Sequence, residues 1–146
     1  MRFLFINGPN VNITRFTEPG VEGEVDYNGL LDYLDVCCQQ MGIEPDFFQS
    51  NHEGAIIDAI QEADTAFDGI VINPGAYTHY SYAIHDALKA VSIPAVEVHM
   101  SDIQKREEFR HLSVTAPACI AQIRGHGFES YTMAIDMLAK LNPEEK

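Results

Sequence analysis

A chain of 146 residues with 46% hydrophobic and 10% aromatic content suits a single domain, residues 1–146, with an ample core, and excludes a disordered protein. Its formal net charge of −13 argues against nucleic acid and anionic membrane surfaces as partners, because both need a basic field on the protein. No apolar run approaches the ~20 residues that span a bilayer, and the run from Arg2 is too short for a signal peptide, so a cytoplasmic location is expected.

Phe3-Leu-Phe-Ile6 is continuously apolar and stops at Asn7-Gly8-Pro9-Asn10, which is how a buried parallel strand enters a turn. Val11 to Asp26 has no usable period and carries Pro19, Gly20 and Gly23, so it reads as a long loop of the kind that serves as a lid. From Tyr27 to Met41 the residues Leu30, Leu34, Cys37, Cys38 and Met41 fall at helical spacing, and Gly42 supplies a stop. Asp46–Gln49 reads as a second strand. Ser50-Asn-His-Glu53 has capping-box spacing ahead of a helix whose inward stripe is Ile56, Ile57, Ile60 and Ala63.

The third strand, Gly69–Ile72, breaks on Asn73-Pro74-Gly75 and leads to a helix from about Ser81 to Ala90. Pro94–His99 is expected as strand four, Ile103–Phe109 as a helical turn and Cys119–Ile123 as strand five. Phe128, Tyr131, Ile135 and Leu138 mark a last helix, and Pro143–Lys146 a frayed tail. Strands alternating with helices imply an α/β fold, a parallel sheet covered on both faces through right-handed crossovers. The default is a flavodoxin-like three-layer sandwich with strand order 2-1-3-4-5. Its switch point sets Asn10 against the Asn73–His79 turn.

On strand four Glu97 and His99 are two residues apart and share a face, while Val96 and Val98 take the other. A carboxylate beside an imidazole fixes its tautomer, which suits a general acid; a plain surface pair is the bland alternative. Arg106 and Arg110 are four apart, so a helical turn puts both on one side, although a solvated ladder with Glu107 and Glu108 has the same spacing. The chain has nine Lys and Arg, and Lys105, Arg106 and Arg110 fall together, where an anionic ligand would need them.

Cys37, Cys38 and Cys119 cannot make a complete disulfide framework and read as thiols in a reducing compartment. The six histidines show no metal-ligand spacing, and the first turn lacks the Gly-x-Gly-x-x-Gly pattern, a Walker Lys and the Ser/Thr-rich loop that flavin phosphate needs. No cofactor is expected.

With these pieces placed, the sequence resembles type II 3-dehydroquinate dehydratase along nearly its whole length. The matching motifs are Ile6-Asn-Gly-Pro-Asn10, Phe48-Gln-Ser-Asn-His-Glu-Gly54, Val71-Ile-Asn-Pro-Gly-Ala-Tyr-Thr-His79, Val96-Glu-Val-His-Met-Ser101 and Arg106-Glu-Glu-Phe-Arg110. The resemblance implies a cyclic polyol carboxylate as small-molecule substrate, no metal or organic cofactor, and homo-oligomerisation as trimers in a dodecamer. It implies anti elimination of water from 3-dehydroquinate, through an enolate, to 3-dehydroshikimate.

By motif, His99 corresponds to the acid that protonates the departing hydroxyl, with Glu97 orienting it, and Asn10 to the holder of a water that stabilises the enolate. Asn73 and the backbone amides of Met100 and Ser101 correspond to carboxylate binders, His79 and Arg110 to binders of ring hydroxyls. Asp86 matches a residue that reaches a neighbouring subunit's site. The lid departs from the pattern: Thr17 stands where the family has an Arg, and Glu22 where it has the Tyr that removes the proton. Three readings stay open. Glu22 is the base; or Tyr27 swings in, with Arg15 in place of the Arg; or the chain is a non-catalytic or substrate-shifted paralogue. Asp102 replaces a common Asn beside the carboxylate-binding amides, which predicts weaker anion affinity unless it is neutralised or turned away.

Overall fold

The three most apolar runs become the middle of one parallel sheet in the computed structural model, which describes residues 1–141. The strands are β1 (Arg2–Asn7), β4 (Glu44–Gln49), β5 (Gly69–Asn73), β6 (Ala95–His99) and β7 (Ala121–Arg124), in the order β4-β1-β5-β6-β7. All four pairings are parallel, as the expected 2-1-3-4-5 arrangement requires. The expectation for Pro143–Lys146 lies outside the described residues.

Alternation along each strand divides the core in two. Phe3, Phe5, Val71, Val96 and Val98 pack with α1 (Tyr27–Met41) and α4 (Glu129–Lys140). Leu4, Ile6, Ile70 and Ile72 pack on the opposite face with α2 (Glu53–Ala63) and α3 (Tyr82–Ala90). Burial on both faces is why these strands read as unbroken apolar runs.

The helix ends follow local chemistry. Asp26 caps α1 by accepting from Gly29 N at 3.0 Å, and Gly42 ends the helix at φ 72°. Ser81 caps α3 by accepting from Ile84 N at 3.0 Å. The capping box expected at Ser50 and Glu53 does not form. His52 is the N-cap residue of α2; the Ser50 hydroxyl accepts from His52 N, and the Glu53 carboxylate accepts the Ser81 hydroxyl at 2.5 Å. A partner on another helix has outcompeted the local one.

Three further elements differ from expectation. The Val11–Asp26 stretch is not a structureless loop: a turn at Val11–Ile13 leads into a hairpin of β2 (Phe16–Thr17) and β3 (Glu24–Val25). Phe16 holds it to the core by packing edge-on against Phe128, with ring centroids 5.5 Å apart. Ile103–Phe109 forms two short 3-10 turns, Ile103–Lys105 and Glu108–Arg110, rather than one helical turn. The last strand begins at Ala121 rather than Cys119, because Ala116–Ala118, with Pro117 as its second residue, is a 3-10 turn.

The turns after β1 and β5 interlock at the switch point. Gly8 N donates to the Asn73 carbonyl at 2.7 Å, and a Cβ on Gly8 would lie 2.4 Å from the Pro74 carbonyl oxygen. Only glycine allows the two chains so close.

Candidate active site

A cavity of about 550 Å³ opens over the carboxyl ends of β1, β5 and β6. Asn10 and the Asn73–His79 turn both line it, as the switch-point argument expects. Asn10 has φ 69° and ψ −5°, a left-handed conformation that asparagine tolerates better than most residues. The Asn51 side chain holds it there, accepting from Asn10 N at 3.1 Å.

His99 forms part of the lining and is only 6% exposed. Its Nε2 lies 2.7 Å from Glu97 Oε2. Glu97 is fully buried and accepts also from Ser113 Oγ at 2.8 Å, Gln122 Nε2 at 2.9 Å and Thr115 Oγ1. Burial by itself raises the pKa of this carboxyl, but the hydrogen bond and charge of His99, with the bonds from Thr115 and Gln122, prevail and hold it below the ordinary carboxylate range. An ionised Glu97 has no proton to give, so Nε2 must donate to it. Nδ1 is therefore the nitrogen left for a ligand, and it can donate when the ring is protonated. The pair is buried at the cavity, not the bland surface pair that its spacing also allowed.

His79 is arranged in the opposite sense. Its Nδ1 lies 2.8 Å from the Leu112 carbonyl, an acceptor only, so Nδ1 carries a proton and, in the neutral ring, Nε2 has the lone pair. That nitrogen can accept from a ligand hydroxyl. Arg110 and Arg106 line the same cavity, with Arg110 Nε held by Glu107 at 2.8 Å and Arg106 within 3.5 Å of the Ser101 hydroxyl. Met100 and Ser101 complete this wall. Asp102 does not face it: its Oδ1 accepts from Gln104 N at 3.0 Å and from Arg124 Nε at 2.9 Å. The expected charge penalty is thereby answered by neutralisation.

Other named residues lie elsewhere. Glu22 is exposed in the turn of the hairpin and outside the cavity lining, although Glu18 in the same turn lines the cavity and accepts from Phe128 N at 3.2 Å. Tyr27 is also outside the lining; burial raises its hydroxyl pKa, and the neighbouring Asn7 amide only partly offsets this. Asp86 is exposed on α3 beside His85 and does not line this chain's cavity.

Arg15, by contrast, lines the cavity and makes no ion pair or hydrogen bond among the described residues. With Arg106 and Arg110 it makes a cationic mouth on a protein of net charge −13, a field that attracts an anion. The sequence alone did not single out Ser113, Thr115 and Gln122 around Glu97; their only signal was position in the stretch after strand four and in strand five. Among the described residues no cluster of three or more His, Cys, Asp or Glu could hold a metal ion, and no helix is long and apolar enough to cross a membrane.

The chain is similar to known proteins along nearly its whole length. The family model described as dehydroquinase class II matches residues 1–139. A 3-dehydroquinate dehydratase of Caldicellulosiruptor saccharolyticus is 53% identical over 141 residues, which are 96% of this chain and 97% of that protein. One of Clostridium perfringens strain SM101 is 55% identical over 141 residues, with 96% and 97% covered. The crystal structure of a type II dehydroquinase from Butyrivibrio crossotus superposes with a TM-score of 0.88 at 55% identity, covering 95% of this chain and 97% of that one. A match over nearly the whole chain, by sequence and by structure alike, places this protein in the class II dehydroquinase family.

Proposed function

We propose that this chain is a type II 3-dehydroquinate dehydratase, converting 3-dehydroquinate to 3-dehydroshikimate by anti elimination of water. The observation that carries the reading is the buried Glu97–His99 pair at the floor of a cavity with an arginine-rich mouth. The substrate's carboxylate is bound by Asn73 and the amides of Met100 and Ser101, and its ring hydroxyls by His79 and Arg110. Loss of the proton next to the ketone leaves an enolate, whose charge a water on Asn10 stabilises. His99, protonated and held by Glu97, gives its Nδ1 proton to the hydroxyl, which departs as water.

The chemistry uses neither metal nor organic cofactor, only the small-molecule substrate. The chain acts as a single domain in a cytoplasmic homo-oligomer, trimers gathered into a dodecamer, with Asp86 reaching a neighbouring site. Neither nucleic acid nor membrane takes part.

Proton removal falls to Glu22, which requires closure of the hairpin over the loaded site. Glu22→Gln therefore lowers kcat by about 10²–10⁴-fold in a turnover assay that follows the ultraviolet absorbance of the conjugated product, with binding kept. An unchanged kcat in this variant removes Glu22 from the role. The exposed position of Glu22 also favours a second reading, a paralogue that binds the cyclic carboxylate without turnover. That reading predicts a calorimetric binding signal and no product.

Arg15→Gln is expected to raise KM about tenfold, the worth of one charge-assisted hydrogen bond, and more at low salt than at high salt. Steady-state kinetics at two ionic strengths tests this; a KM that does not move leaves Arg15 as a bystander at the rim.

A further inference from the structure

Tyr131 was legible in the sequence only as one residue of a core stripe. The structure gives it more to do. It is fully buried on α4, and its hydroxyl sits under the point where β1 and β5 end. Asn7 and Asn73, the last residues of those strands, are register partners. The Tyr131 hydroxyl meets both, at 2.5 Å from Asn7 Oδ1 and 3.3 Å from Asn73 Nδ2.

Proton counting assigns these bonds. A phenol has one proton, and Asn7 Oδ1 accepts it, so the Tyr131 oxygen must accept from Asn73 Nδ2. At its other end Asn73 Oδ1 accepts from Gly75 N at 3.1 Å. Flipping the Asn73 amide would set its NH₂ against the Gly75 N–H and its oxygen against a hydroxyl whose proton is already committed. The flipped state is therefore excluded, and one Nδ2 proton remains for the cavity that Asn73 lines.

We propose that Tyr131 is a positioning residue: its hydroxyl locks the Asn73 amide so that Asn73 presents an N–H donor, and no acceptor, to an anionic oxygen of the ligand. This rests on the reading of Asn73 as a carboxylate binder given above. It explains why a hydroxyl stands in an otherwise apolar stripe. Burial keeps the phenol protonated by raising its pKa, so the lock holds throughout the working pH range.

The test is a double-mutant cycle between Tyr131→Phe and Asn73→Ala, read in KM and kcat for 3-dehydroquinate and in Kd by calorimetry. Tyr131→Phe is expected to raise KM and Kd about tenfold with kcat changed little, because a binding donor is lost and the acid is untouched. In the Asn73→Ala background the same substitution produces no further rise. An unchanged Kd in Tyr131→Phe, or an equal rise in both backgrounds, overturns the proposal and leaves Tyr131 as core. Should Tyr131→Phe not fold, Asn73→Asp serves instead: it is nearly isosteric, swaps the donor for an oxygen and must raise Kd at least as much; an unchanged Kd there overturns the proposal equally. Because the cycle is read in binding, absence of turnover in the unmodified protein counts against dehydration alone. Absence of binding by the unmodified protein overturns both.

Discussion

His99→Gln lowers kcat by about 10²–10⁴-fold, the usual worth of a positioned general acid, and leaves KM close to that of the unmodified protein. Glu97 holds Nε2, which leaves Nδ1 for a ligand in the cavity that His99 lines, and in the proposed reaction the substrate's carboxylate and remaining hydroxyls are held by other residues. Glutamine can still donate to Glu97 but cannot carry a transferable proton near neutral pH. Steady-state kinetics with thermal melting separates the chemical loss from unfolding. A kcat near that of the unmodified protein would remove His99 from the acid's role.

Glu97→Ala is the largest expected loss of stability, about 3–5 kcal/mol, typical of removing one partner of a buried ion pair. Four donors, on His99, Ser113, Thr115 and Gln122, converge on this carboxylate, and all are left facing a void. kcat falls as well, since nothing then fixes the His99 tautomer. The pH dependence has a definite sign. The folded pKa of Glu97 lies below its unfolded value of 4.5, so its stabilisation is complete above pH 4.5 and is lost as pH falls through the folded value. The gap in denaturant midpoint between the unmodified protein and Glu97→Ala is therefore widest near neutral pH and narrows in acid. A gap that widens in acid would mean that Glu97 is protonated in the folded state.

How much of this could be read from the residues depends on whether the signal was local. The central strands announced themselves because burial on both faces leaves no polar residue in Phe3–Ile6 or Ile70–Ile72. Glu97 and His99 were paired by the two-residue period alone. Gly42 and Ser81 marked helix ends through their own backbone and side-chain chemistry.

What failed was settled by partners distant in sequence. The Ser50–Glu53 box lost to Ser81, 28 residues from Glu53. Asp102 looked like a threat to anion binding until Arg124, 22 residues on, neutralised it. The hairpin between Phe16 and Val25 has strands of two residues each, too short to show a period. For the same reason the sequence could set Glu22 and Arg15 side by side as candidates but could not show that only Arg15 reaches the cavity.

The most direct measurement is the ultraviolet absorbance of 3-dehydroquinate incubated with the purified protein, beside His99→Gln at equal concentration. The expected result is a rise from conjugated product that is saturable in substrate, unaffected by chelator and lost with the His99 substitution. No rise from the unmodified protein, under conditions where calorimetry detects the ligand bound, would contradict the dehydratase and leave a binding protein on a dehydroquinase scaffold.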